Sequence, residues 1–350
     1  MNFASDNATE VAPEIFDAIA RANQGYSLAY GNDDWTRAVE RRMSELFECE
    51  VAIFLVATGT AANALAVAHF CQPWNAVLCH EAAHLATDEA GAPEFFGGGL
   101  KLIGVPGADG KLRPDALTEA IGRGRGVPHS VIPGIISLSQ STEFGTVYRN
   151  DEVRALADVA HGSGLAVHMD GARLANALVR NNNTPADATW KAGVDVLSFG
   201  ATKNGALAAE AVIFFDPARA AGMASRRKRG GHLLSKSRFF AVQFEAYLKD
   251  GLWLRLARRA NDAAAKLASG LSANGLPPVW PVEANEIFIQ LPSAADERLK
   301  GAGATYVSWP AEFLPAGTAE KPGSKMFRLV TSFATSDADI EKFLTLARGT

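Results

Sequence analysis

Val194-Asp195-Val196-Leu197-Ser198-Phe199-Gly200-Ala201-Thr202-Lys203-Asn204-Gly205 decides how the rest of the chain is read. A short run apolar on both faces is followed by small residues and one lysine, the pattern of a buried strand that delivers an amine into a cleft. Burial and cationic neighbours lower the pKa of such an amine and make it nucleophilic, as Schiff-base chemistry requires; a solvated loop lysine is the plainer alternative. Working outward, further apolar runs stand at 51–57, 76–79, 102–105, 135–138, 165–169 and 211–215, between helix-like stretches such as 114–121 and 152–162. Strands apolar on both faces and separated by helices predict an α/β fold with a mostly parallel central sheet flanked by helices.

Two other strand ends bear on the lysine. In Val167-His168-Met169-Asp170-Gly171-Ala172-Arg173 the aspartate emerges at the carboxyl end of a predicted strand, where open α/β sheets bind ligands. A helix cap or an ion pair with Arg173 would also use it. In Ala57-Thr58-Gly59-Thr60-Ala61-Ala62-Asn63 a strand passes through a small polar turn into a helix, whose free N–H groups can seat a phosphate; a simple turn is the alternative. A phosphate cradle, an acid and an amine on successive strand ends are together what pyridoxal 5′-phosphate demands. The acid keeps the ring nitrogen protonated, so that the ring accepts the electrons of a broken substrate bond.

Composition narrows the field. The 350 residues are 48% hydrophobic, enough for a large core, and 34 basic against 38 acidic side chains leave a net charge of −4, with no overall field to collect nucleic acid or anionic lipid. Cys49, Cys71 and Cys79 are odd in number and scattered, which suits neither a disulfide framework nor a thiolate zinc site. Asp6, Glu10, Glu14 and Asp17 stand where an export signal needs positive charge and an apolar run, so a cytoplasmic location is expected. Residues 51–70 are apolar enough to suggest a membrane span, but Thr58, Gly59, Thr60, Asn63 and His69 interrupt them, and strand, turn and packed helix is preferred. The chain is expected to divide into an N-terminal arm at 1–15, a large cofactor-binding domain at 16–250 and a small α+β domain at 251–350. A long helix from Arg238 to Leu271, broken near Asp250-Gly251, bridges the two domains. In the small domain Ile287, Ile289 and Leu291 alternate along one strand, 304–309 and 326–332 read as two more, and 337–347 as a closing helix.

These motifs resemble the threonine aldolase family, pyridoxal-phosphate enzymes of the aspartate-aminotransferase-like fold type I. The likeness runs from Ser5 to about Ser336 and is most specific at 168–173 and 198–205, with support at 30–33, 137–148 and 328–333. It implies that Lys203 binds the cofactor, Asp170 partners its ring nitrogen, Thr58, Gly59 and Thr60 form its phosphate turn, and His84 stacks on its ring. Ser5, Arg173 and Arg328 would hold the substrate carboxylate, a task suited to guanidinium forks, with Arg173 also beside the cofactor. His129 would stand near the substrate hydroxyl. Tyr30 and Lys228 would reach substrate and cofactor from a neighbouring subunit of a homodimer or homotetramer. The implied reaction is retro-aldol cleavage of L-β-hydroxy-α-amino acids such as L-threonine, L-allo-threonine or phenylserine to glycine and an aldehyde. His84, His129 or water ordered by them would take the hydroxyl proton.

Other readings compete. A β-eliminating lyase or a racemase could use the same scaffold, because fold does not fix reaction. His80-Glu81-Ala82-Ala83-His84 matches the His-Glu-x-x-His pattern of zinc hydrolases, which needs a helix and a third ligand; the residues before it read as strand, and no metal is expected. The basic run Arg226-Arg227-Lys228-Arg229, with Lys236 and Arg238 beyond, lacks interleaved aromatics and suits a phosphate or a subunit contact better than nucleic acid.

Overall fold

The computed structural model describes residues 1–123, 126–315 and 318–348. Its larger sheet has seven strands: β1 (Ala52–Val56), β2 (Asn75–His80), β3 (Lys101–Val105), β4 (Ile132–Ser139), β5 (Ala166–Gly171), β6 (Val196–Gly200) and β7 (Glu210–Phe214). They lie in the order β1-β7-β6-β5-β4-β2-β3, and only β7 runs against its neighbours. The apolar runs lack alternation because helices cover both faces. Leu78, Ile136, Val167 and Leu197 pack to one side, and Val77, Ile135, Val196 and Val212 to the other. Since β1, β2, β4, β5 and β6 point the same way, all five end on one edge, and β7 begins there.

Three early helices fix that edge. α1 (Pro13–Ala22) and α2 (Asp34–Phe47) contribute Ile15, Val39, Met43 and Phe47 to one core, and Asp33 caps α2 by accepting from Thr36 N at 2.8 Å. α3 (Gly59–Phe70) is buried at every position from Ala61 to Ala68, so its Ala-rich sequence has no polar face. Residues 51–70 are therefore strand, turn and packed helix. No helix among the described residues is long and apolar enough to cross a membrane.

Further along, Asp250 and Gly251 adopt left-handed backbone, φ 50° and 68°, which stops the helix Arg238–Leu248 and lets Leu252–Ala273 start in a new direction. The second of these helices packs on a three-stranded antiparallel sheet in the order β8-β10-β9: β8 (Glu286–Pro292), β9 (Val307–Ser308) and β10 (Ser324–Val330). Ile287, Ile289 and Leu291 join Leu267, Leu271 and Phe343 in one core. The opposite face is also buried. Phe288 packs with Trp280 and Phe144, whose rings stack at 4.5 Å, so the small sheet is joined to the loop after β4.

Two expectations fail here. The strand expected at 304–309 pairs over Val307–Ser308 alone, because the N-terminal arm takes its place: Phe3 N donates to Thr305 O and Val330 N to Phe3 O, both at 2.8 Å. Ser293–Gly301 is a helix that the reading of the tail omits.

Candidate active site

The shared strand edge and the small sheet enclose a cleft of about 760 Å³. Lys203 enters it on the single turn Thr202–Asn204 after β6. That turn is fastened from beneath. Asn204 Nδ2 donates to Tyr247 OH and to the Trp253 carbonyl, each at 2.9 Å. Gly205 follows at φ 102°, with Leu256 and Ala12 only 3.0 and 3.1 Å from where a Cβ would stand.

Asp170, near the end of β5, pairs in register with Ser139 on β4 and Ser198 on β6. Its Oδ2 accepts from Asn63 Nδ2 at 2.8 Å and its Oδ1 from Ala172 N at 3.0 Å. Burial opposes its charge, but Lys203, His84 and the Ala172 N–H outweigh burial and hold the carboxyl below its usual range. On the same face, His168 is fully buried between Ser137 Oγ (2.8 Å) and Ser198 Oγ (2.9 Å). Burial pushes its pKa down to about 4, so a neutral ring lies beside Asp170.

The first turn of α3 opens on the cleft, where its leading N–H groups have no partner within the helix. Thr58 Oγ1 accepts from Ala61 N at 3.1 Å, and nothing lies within 4 Å of a Cβ built on Gly59. A helix terminus with open space before it, an ionised buried acid and an anchored lysine fit the phosphate, ring nitrogen and aldehyde of pyridoxal 5′-phosphate.

At the other end of the cleft, Ser5, Arg173 and Arg328 come together as expected, but Arg173 is already engaged. Its Nε and Nη2 bind Asp6 Oδ2 and Oδ1 at 2.7 and 3.0 Å, and its Nη1 lies 3.3 Å from Glu286 Oε2. Burial works against both charges of the Arg173–Asp6 pair, yet the pairing prevails: the Arg173 pKa is raised and that of Asp6 lowered. Arg328 is freer. Its Nη1 stands 3.7 Å from Glu286 Oε1, its guanidinium lies over Trp309 at 5.2 Å, and its Nε has no partner among the described residues.

Four glutamates in or beside the cleft carry no motif and escape sequence reasoning. Glu89 Oε1 lies 2.9 Å from His84 Nδ1 and accepts from Asn63 Nδ2 at 2.8 Å. Glu143 Oε1 accepts from Ser139 Oγ at 2.6 Å and from His84 N at 2.9 Å. Glu210 begins β7 beside Thr202, and burial pushes Glu143 and Glu210 each up to about 7. Glu286 opens β8. An acid abutting an apolar strand, as at Glu210 and Glu286, is the one available sign.

Other sequence expectations fall outside the cleft of this chain. His129 is exposed in the turn before β4, and a strand of eight residues puts roughly 25 Å between that turn and the cleft. Lys228 lies 5.0 Å over the Tyr30 ring, and neither residue lines the cleft. His80 ends β2 while His84 starts a separate turn, so the two do not share a helix face as the zinc pattern requires. His80 is instead buried, with Nε2 2.9 Å from Gly107 O.

The family model described as Beta-eliminating lyase matches residues 2–294. A low specificity L-threonine aldolase of a Pseudomonas species is 43% identical over 303 residues, 86% of this chain and 87% of its own. That of Pseudomonas aeruginosa is 41% identical over 347 residues, 99% of this chain and 96% of its own. Among solved structures, threonine aldolase of Leishmania major matches with a TM-score of 0.92 at 31% identity, covering 99% of this chain and 98% of its own. Serine palmitoyltransferase of Sphingomonas wittichii, with a TM-score of 0.74 and 14% identity over 99% of this chain and 86% of its own, shares the fold alone. The chain is therefore a member of the beta-eliminating lyase family, in its threonine aldolase group, built on the fold type I scaffold of pyridoxal-phosphate enzymes.

Proposed function

We propose that this enzyme is a pyridoxal-phosphate-dependent aldehyde-lyase that cleaves L-threonine, L-allo-threonine and phenylserine-type substrates to glycine and an aldehyde. The observation that carries the reading is the meeting of Lys203, an ionised Asp170 and the α3 N-terminus in one cleft. When bound, the cofactor supplies a sink for electrons released at the substrate Cα. Lys203 would hold the cofactor through its amine. Asp170, fixed by Asn63 and Ala172 N–H, keeps a proton at the ring nitrogen. Thr58, Gly59 and Thr60 bind the phosphate.

Arg328 and Ser5 take the substrate carboxylate, and Arg173, braced by Asp6, shapes their pocket. Fixing that carboxylate would set the orientation of the bonds at Cα. His84 then removes the β-hydroxyl proton as the Cα–Cβ bond breaks, and a proton returned to Cα completes glycine.

The same proposal includes a cytoplasmic homodimer or homotetramer. Tyr30 and Lys228 lie beyond their own cleft, and the exposed apolar side chains Tyr26, Leu28, Leu207 and Leu234 offer surface for a second copy. Incubation of the cofactor-loaded enzyme with each of the three substrates tests the reaction. Glycine and aldehyde in equal amounts are expected; 2-oxobutanoate with ammonia, or a D-amino acid, would replace this reading with elimination or racemisation.

A further inference from the structure

We propose that Glu89 is a positioning residue that holds His84 as its Nδ1–H tautomer and so presents Nε2 as the acceptor of the substrate's β-hydroxyl proton. The inference rests on the retro-aldol reading above. The Glu89 side chain has no exposure and cannot meet substrate, whereas 40% of the His84 side chain is open. Glu89 Oε1 accepts an N–H from Asn63 and lies 2.9 Å from His84 Nδ1. Burial raises the Glu89 pKa, but both hydrogen bonds oppose that rise, and a Glu89 carboxylate can only accept, which puts the shared hydrogen on the imidazole Nδ1. With Nδ1 a donor, neutral His84 keeps its lone pair on Nε2. Asn63 Nδ2 also donates to Asp170 Oδ2, so one amide locks the acid behind His84 to the acid beneath the cofactor's place.

In the reaction the hydroxyl proton passes to Nε2 while the electron pair of the Cα–Cβ bond goes to the sink. The imidazolium that forms is stabilised by the Glu89 carboxylate 2.9 Å from Nδ1. The charged groups facing His84 are Glu89, Asp170 and Lys203 at the ring, with Glu143 on its backbone N–H. The hydrogen bond to Glu89 is the largest influence raising its pKa, against burial.

Two variants of the holoenzyme separate positioning from packing. Glu89→Ala removes acceptor and charge. It should lower threonine cleavage on the alkaline plateau by about tenfold or more, while exchange of glycine α-hydrogen in D2O, which needs the sink but no hydroxyl proton, changes by less than about threefold. Histidine 15N resonances should move from the Nδ1–H pattern toward Nε2–H. Glu89→Gln keeps an acceptor and loses the charge, so it should restore most of the plateau and move the acidic limb of the cleavage profile down by about one pH unit. Equal loss of cleavage and exchange in Glu89→Ala, or an unmoved limb in Glu89→Gln, would overturn the proposal. Failure of the retro-aldol reading is seen separately, as a wild type that makes no glycine from threonine.

Discussion

The two ends of the cleft are built on opposite plans. At the cofactor end, Thr58, Asp170 and Lys203 each stand at or just past the end of a strand and line one cleft, where the Lys203 charge helps keep Asp170 ionised. At the carboxylate end, Asp6, Arg173, Glu286 and Arg328 come from the N-terminal arm, the segment after β5, β8 and β10, and already neutralise one another. The first arrangement is completed by a ligand. The second is balanced in charge without one and leaves only Arg328 loosely held, so a substrate carboxylate competes with Glu286 for Arg328. Damage at the first end should therefore appear in chemistry, and at the second in folding and affinity.

The largest expected effect is at Lys203. Lys203→Ala should cut threonine cleavage by at least about a thousandfold and abolish the visible absorbance of the loaded enzyme, with the unfolding midpoint of the cofactor-free protein barely changed. Asp6→Ala should do the reverse. Removing the two-bonded partner of buried Arg173, which leaves only Glu286 at 3.3 Å, should cost up to about 3 kcal/mol of stability, read by denaturant unfolding; a loss typical of a surface site would remove the structural role given to this end. Arg328→Ala should raise KM for threonine by about 10- to 100-fold, the worth of a charged hydrogen bond, with cofactor affinity unchanged; a parallel loss of cofactor would merge the two ends. The smallest effect is at Glu210. Its pKa is raised by burial from 4.5 to about 7, so the stability of its neutral form is complete below pH 4.5 and fades as pH rises through 7. Glu210→Gln stays neutral, and thermal unfolding of the variant should fall less than that of the wild type between about pH 5 and 8.

The same contrast explains what the sequence discloses. Residues 57–63, 165–170 and 194–205 are legible because each is one contiguous passage from strand to turn, with its functional residue at a position the local pattern defines. The carboxylate end has no such segment. Asp6 and Asn285, 279 residues apart in sequence, meet at 3.0 Å, and only the folded chain shows that Asp6 occupies Arg173. Glu89 is hidden for another reason: it follows His84 by five residues in an irregular segment, where no helical or strand period predicts that the two side chains touch. His129 marks the limit of resemblance: the likeness in sequence carries a role to it, yet it is exposed before β4 and does not line this chain's cleft.

The most direct test of the central claim is chemical. The protein is loaded with pyridoxal 5′-phosphate, reduced with borohydride, digested and mapped by mass spectrometry. A single phosphopyridoxyl adduct on Lys203 is predicted, absent from Lys203→Ala; an adduct centred on another lysine, or none, would contradict the account.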